Sequence, residues 1–272
     1  MPKLELIDPT GFIQGELQKS IDLVSFGLQA AENLKVDSLT IPGVRFHLTP
    51  AQDRSMEVEE TRAVFRAWVL GNGLRDCVDA FGPSLEWARK ICFLWTREGE
   101  VSVNENGTLH LSAFITGKEW NEQLLREGAE FEFWPLRKKL GFLKESYGLN
   151  LPATSESILS ISYARNCLTH RRGIVGTEDL RDNSAKKLVV HWKEMQLTAH
   201  GDEGLRVLEP PAEVRGGELV SFGYADVSRE FELGDRIEFT PQEFVQLAST
   251  FLLFAFQIQE SIRALQQARR QV

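Results

Sequence analysis

The chain has 272 residues, a hydrophobic content of 42% and a formal net charge of −8, so it can bury a sizeable core without disulfides or metals. This acidic balance argues against a broad nucleic-acid-coating surface but leaves room for a focused basic cleft. Three cysteines without CxxC spacing predict free thiols in a reducing compartment, and we expect a cytoplasmic protein because residues 1–8 lack an export signal and no uncharged segment is long enough to span a membrane.

The N-terminal region, residues 1–48, is predicted to be an extension packed on the main body. It combines an extended piece at 4–7, an apolar-periodic segment at 17–34 and a second extended piece at 41–48. The pattern becomes helical at Thr49-Pro50, a typical N-cap followed by proline in the first helical position. We therefore place the main domain at 49–272.

The first helix of that domain is expected to break or kink at Gly71-Asn72-Gly73. This stretch is not a phosphate-binding loop, since no Lys-Ser/Thr pair follows it. A second helix is predicted over 83–95. After it, two short alternating segments flank the turn residues 104–107 and predict a β-hairpin.

A long helix is predicted over 120–147, with an interruption at Pro135 and a stop at Gly148. The next helix opens at Ser155 and ends at Gly173. These elements, together with the last helix, predict a mainly α fold of the α+β class, organised as a helical bundle.

Residues from about 186 to 239 are predicted to form a β insertion, because their apolar residues alternate in short runs typical of four or five antiparallel strands. A capping box from Thr240 to Glu243 then starts the last helix. The apolar side of that helix is too wide for one stripe, so we expect it to be covered by the bundle or by a second subunit.

A cationic cluster stands at the end of the Ser155 helix. Asn166 and His170 are four residues apart and share a helix face, and Arg165 reaches round with its long side chain. Arginine offers a bidentate fork to phosphate oxygens, and histidine transfers protons near neutral pH. No His, Cys and carboxylate residues have ligand spacing, so we expect neither a metal nor another cofactor.

This motif, Arg165-Asn166-x-x-x-His170, resembles the signature of the HEPN superfamily (higher eukaryotes and prokaryotes nucleotide-binding), an arginine followed four to six residues later by a histidine. The stretches 170–175 and 234–237 are also similar to bacterial members of that group. The resemblance implies a helical bundle that dimerises with two motif helices facing one cleft. It also implies a metal-independent endoribonuclease of toxin or defence type, with a regulatory partner protein. Under this reading Arg165, Asn166 and His170 are catalytic, and Arg171 and Arg172 bind RNA.

Other readings of the same residues stay open. Arg171 and Arg172 before Gly173 also make an ordinary helix end, where cations complement the dipole and glycine supplies the left-handed cap. Cys167 is expected to be an inward-facing thiol rather than a nucleophile. The whole motif could also serve a non-catalytic homodimeric scaffold, or bind a nucleotide or another phosphorylated ligand without turnover.

Overall fold

The computed structural model describes residues 10–33, 58–95, 101–103, 109–111, 122, 124, 126, 130–180, 186–201, 204–208, 217 and 219–270. In these residues the fold is mainly helical with a small antiparallel sheet, so the predicted α+β class is confirmed. The helices are α1 (Thr10–Asn33), α2 (Val58–Trp95), α3 (Leu136–Tyr147), α4 (Ser155–His170) and α5 (Pro241–Arg270). The strands are β1 (Val101–Val103), β2 (Leu109–Leu111), β3 (Leu188–Gly201), β4 (Gly204–Leu208) and β5 (Leu219–Phe231).

Several predicted features fall outside the described residues. These are the extended pieces at 4–7 and 41–48, the helix start at Thr49 and the turn at 104–107. The hairpin prediction itself is confirmed, because β1 pairs antiparallel with β2 from Val101 opposite Leu111 to Val103 opposite Leu109.

Helix α2 runs without a break through Gly71-Asn72-Gly73, so the predicted interruption and the separate helix from residue 83 are wrong. The glycines are there for close packing. A Cβ atom on Gly73 would lie 2.2 Å from Val24 Cγ2 and 2.8 Å from Phe244 Cζ. The absence of that atom therefore lets α1 and α5 approach α2 closely.

Helix α3 has the two boundaries expected from its sequence. Pro135 precedes its first residue, with a short 3-10 turn at Phe131–Phe133 just before it. Gly148 ends it in a left-handed conformation with φ of 69°, and its N–H donates to the carbonyl oxygen of Lys144 at 3.0 Å. The predicted interruption and stop are both confirmed.

The larger sheet has the strand order β4-β3-β5, with both pairs antiparallel. The predicted four or five strands are therefore replaced, in the described part of the insertion, by two long strands and one short one. Side chains of α4 and α5 anchor β3. Ser160 Oγ accepts a hydrogen bond from the His191 N–H at 2.8 Å, and Thr250 Oγ1 accepts one from the Lys193 N–H at 2.9 Å. These two hydroxyl groups satisfy backbone donors on an edge of β3 that no described strand pairs at these residues.

Helix α5 begins with the predicted capping box. The Thr240 N–H donates to Glu243 Oε2 at 2.7 Å, and the Glu243 N–H donates to Thr240 Oγ1 at 3.1 Å. The wide apolar side of α5 is buried within the chain against α1, α2, α4 and β3. A second subunit is therefore not needed to cover the fully buried residues of α5, which include Phe244, Leu247, Phe251 and Phe254.

Candidate phosphate-binding site on α4

Helix α4 is buried on most sides in its first half and exposes one side only near its end. Ile158, Ile161 and Ala164 have no solvent exposure. Helix α2 crosses α4 at Gly71, where an added Cβ atom would lie 3.2 Å from Leu168 Cβ. Since the core holds α4 along its apolar side, its polar residues from 165 onward are presented on a rigid element.

Arg165 and Asn166 form a pair on this helix. The Arg165 side chain is half-buried, and its Nη1 donates to Asn166 Oδ1 at 2.9 Å. Its Nε is buried, and no described residue accepts a hydrogen bond from it. A buried donor without a partner carries a desolvation cost. The guanidinium is therefore oriented by Asn166 but keeps unused hydrogen-bonding capacity.

His170, the last residue of α4, is exposed to solvent. None of the residues that the structure describes forms a hydrogen bond with its imidazole. An imidazole has two ring nitrogens that can bind a ligand, and neither is bonded to a described residue.

Arg171 has a different environment from the one that the motif suggests. Its Nε donates to Asp179 Oδ2 at 2.7 Å, and its Nη2 donates to Asp179 Oδ1, so the pair is bidentate. The Asp179 side chain is 3% exposed and also accepts the Gly176 N–H at 2.9 Å. The hydrogen bond to Asp179 is the largest factor that raises the pKa of the Arg171 guanidinium. Arg171 is therefore held by its own chain.

Sequence analysis did not identify Asp179. The available signal was the run Gly176 to Asp179 immediately after the basic helix end, a pattern that caps the 3-10 turn at Thr177–Asp179. Nothing in the sequence pairs this carboxylate with one particular arginine of the three nearby.

Arg172 and Gly173 form the turn that ends α4, with φ angles of 55° and 76°. The N–H groups of Arg171 and Gly173 both donate to the Cys167 carbonyl oxygen, at 2.9 and 3.2 Å. The left-handed conformation of Arg172 is uncommon for a residue with a side chain. It leaves the Arg172 side chain exposed, whereas Arg171 is tied to Asp179.

The turn after α4 is attached to the segment that precedes α5. The Gly173 carbonyl oxygen accepts the Ile237 N–H at 2.7 Å, and Val175 exchanges hydrogen bonds of 2.9 Å with Gly234 and Asp235. The structure thus brings together two stretches, 170–175 and 234–237, that are more than fifty residues apart in the sequence.

Cys167 is fully buried, and its Sγ–H donates to the Ile174 carbonyl oxygen at 3.2 Å. Burial, followed by the charge of Asp179, raises the pKa of this thiol to about 12. A neutral, enclosed thiol is a poor nucleophile. The interpretation of Cys167 as an inward-facing residue is confirmed.

The described residues contain no group of three or more His, Cys, Asp or Glu side chains arranged to hold a metal ion. None of their helices has the length and apolar character needed to cross a membrane.

A concavity of about 350 Å³ lies between α1 and α2, at a place the sequence did not single out. Phe12 and Leu23 line it together with Glu16, Asp76 and Pro83. Its lining includes no residue of α4, so it is separate from the Arg165 and His170 site.

The chain was also compared with known proteins. No protein-family model, no curated protein and no solved structure matches it.

Proposed function

We propose that the end of α4 is the active site of a metal-independent endoribonuclease, as the HEPN-like motif implies. The observation that carries this proposal is that one helix end presents both a half-buried Arg165, oriented by Asn166, and an exposed His170 that has no hydrogen-bond partner among the described residues. A helix cap at His170 does not require the contact between Arg165 and Asn166, which lie five and four residues before it. An oriented guanidinium with unused hydrogen-bonding capacity supports a binding site for an anionic ligand.

In this mechanism the ribose 2′-hydroxyl attacks the adjacent phosphorus. The bond from phosphorus to the 5′-oxygen breaks, which leaves a 2′,3′-cyclic phosphate and a free 5′-hydroxyl. His170 moves a proton, either from the attacking hydroxyl or to the leaving oxygen. Arg165 stabilises the charge that builds on the phosphate oxygens, an effect typically worth about 3 kcal/mol for one well-placed donor. Asn166 keeps the guanidinium in position.

The proposal gives the two following arginines different roles. Arg171 is bound to Asp179, whereas Arg172 is exposed to solvent, which supports Arg172 as the cation that contacts RNA. The proposal therefore assigns phosphate binding to Arg172 and a positioning role to Arg171.

We also propose a two-fold homodimer in which α4 lies at or near the interface, because the resemblance implies a cleft built from two motif helices. Arg165 Nε, buried and without a described partner, supports a ligand or a second subunit near this helix. Light scattering at micromolar concentration tests the assembly. A monomer would exclude the two-helix cleft.

RNA cleavage in the presence of EDTA tests the chemistry. Wild type should cleave a single-stranded RNA with chelator present, and His170→Ala should be slower by about a hundredfold or more, the usual scale for losing a general acid or base. The cyclic phosphate terminus is detectable by mass spectrometry. Cleavage that EDTA abolishes and magnesium restores would overturn the mechanism.

One observation favours a second candidate, a non-catalytic homodimeric scaffold. The half-buried Arg165–Asn166 pair is the kind of polar contact that also bonds across a two-fold axis. In that case wild type would not cut RNA, and changes at Arg165 would separate the dimer. Light scattering on the Arg165 variants therefore distinguishes the two candidates.

A further inference from the structure

An aromatic and basic patch lies immediately before α3 and in its first turn. It consists of Phe133, Trp134, Arg137 and Lys138, and we call it the α3 patch. Lys138 Nζ lies 3.8 Å from the centre of the Trp134 ring, and Arg137 and Lys138 are both exposed. The patch is outside the Arg165 and His170 site, yet its position relative to that site suggests a role.

Phe133 is open to solvent. Its side chain is 82% exposed, the highest value among the large hydrophobic residues that the structure describes as exposed. Its neighbours behave differently: Phe131 is buried, and Phe131 and Trp134 pack on Phe142 with ring centres 6.0 and 5.3 Å away. Phe131 and Trp134 therefore pack against the core, whereas the Phe133 ring between them in the sequence is exposed to solvent.

The α3 patch also carries two exposed cations. Arg137 and Lys138 stand in the first turn of α3, where the helix dipole disfavours positive charge and no acidic residue is present. The helix dipole therefore does not account for these two cations at that position. Glu130 and Glu132 lie nearby in the chain, so the patch is not a simple positive surface. Contact with a ligand through both aromatic rings and cations accounts for the combination.

The α3 patch is in direct contact with α4. Arg137 Nε donates to Tyr163 Oη at 3.1 Å, and the guanidinium lies 6.0 Å from the centre of the Tyr163 ring. Tyr163, Asn166 and His170 are spaced by three and four residues and so follow one side of α4. From Tyr163 to His170 the helix rises by about 10 Å. We call these three residues the polar track. The α3 patch contacts the track at Tyr163, and the candidate active site contains Asn166 and His170 at its other end.

From this track we infer that the α3 patch is a second contact for single-stranded RNA, with Phe133 stacking on a base and Arg137 and Lys138 contacting phosphates. This inference rests on the proposed function for the choice of ligand. Stacking on exposed aromatic side chains tolerates any base, and cations add a salt-dependent term. The patch binds RNA beyond the bond that is cut and orients the strand along α4.

Fluorescence anisotropy with a labelled 2′-O-methyl polyuridine strand tests the inference separately from cleavage. This strand has no free 2′-hydroxyl, so the proposed reaction cannot consume it. Phe133→Ala should weaken binding about fivefold or more, the lower limit for losing one stacked base. Arg137→Gln and Lys138→Gln should each weaken binding and reduce the slope of log K against log salt by about 0.7, as expected when one phosphate contact to a single strand is lost.

Two variants serve as matched controls. Phe222→Ala removes another exposed aromatic side chain, on β5, and Lys144→Gln removes a lysine from the opposite end of α3. Both should bind the strand as wild type does. Circular dichroism melting of all five variants checks that the folded state is retained.

The outcomes separate this inference from the proposed function. Loss of binding in the patch variants, with controls unaffected, supports the patch even if wild type never cleaves unmodified RNA. Wild-type affinity in Phe133→Ala, Arg137→Gln and Lys138→Gln overturns the patch even if wild type is an active nuclease. No binding of the strand by wild type overturns it as well.

Discussion

Arg171 and Asp179 form a bidentate ion pair that fastens the end of α4 to the following 3-10 turn. The carboxylate is almost fully buried, and its other described partner is the Gly176 N–H. A pair of this kind contributes to stability mainly through the cost of breaking it, because either charge left alone in the interior is poorly solvated.

Arg171→Ala should therefore destabilise the protein. The expected loss in the free energy of unfolding is about 3 kcal/mol, the lower end of the range for breaking a buried pair, since Arg171 keeps some contact with solvent. Urea denaturation measures it. Arg172→Asn is the matched control, because Arg172 is exposed and asparagine tolerates the left-handed conformation. Equal stability of the two variants would show that the ion pair does not hold this turn.

The glycines of α2 and α1 allow a second comparison. Gly73→Ala should lower the free energy of unfolding by about 1 to 3 kcal/mol, because its Cβ atom would overlap Val24 and Phe244. Gly15→Ala in α1 should raise it by about 0.5 to 1 kcal/mol, since Gly15 has nothing within 4 Å of an added Cβ and alanine favours the helix. Thermal unfolding of both variants checks the difference in sign. A stabilised Gly73→Ala variant would contradict the close crossing of α1 and α2.

Cys77 and Cys167 should be unreactive in the folded protein. Burial raises the pKa of both thiols from the ordinary value of 9.0 to about 12. Because the pKa of each thiol is higher in the folded state than in the unfolded state, the free energy of unfolding keeps its full value below pH 9. It falls as the pH rises from 9 towards 12. Ellman's reagent at pH 8 should modify neither thiol until guanidinium unfolds the chain. Rapid labelling of Cys167 under native conditions, located by peptide mass spectrometry, would refute its enclosure.

Arg165→Lys tests whether the motif arginine acts in chemistry or in folding. Lysine keeps the charge but loses the planar fork, one arm of which Asn166 holds. We expect cleavage to fall by about a hundredfold, the scale for losing an oxyanion-stabilising donor, with little change in the melting temperature. Arg263→Lys, at an exposed position of α5, should cut RNA like wild type. An early-melting Arg165→Lys protein from a wild type without activity would point to the scaffold.

The local boundaries of this fold follow from sequence alone. Pro135, Gly148 and the box from Thr240 to Glu243 were all predicted, because each acts through contacts within a few residues of itself. The helix that carries Arg165, Asn166 and His170 was predicted for the same reason.

Other features were decided only by the tertiary structure. Gly71 and Gly73 look like helix breakers in the sequence, yet they lie inside α2 because the approach of α1, α4 and α5 favours residues without a Cβ atom. Their local preference is worth about 1 kcal/mol each, which the packing of long apolar helices outweighs.

The candidate site shows the same division between local and distant contacts. The spacing of Arg165, Asn166 and His170 is a property of one helix, so the sequence by itself determined that these side chains share one region of α4. Asp179 decides which of the two arginines after His170 is exposed. Its carboxylate binds Arg171, and the turn at Arg172 and Gly173 that allows this contact is bonded to the 234–237 segment. Local periodicity does not reveal contacts between residues that are far apart in the chain. Only the tertiary structure therefore decided that Arg171 is bound to Asp179 while Arg172 is exposed.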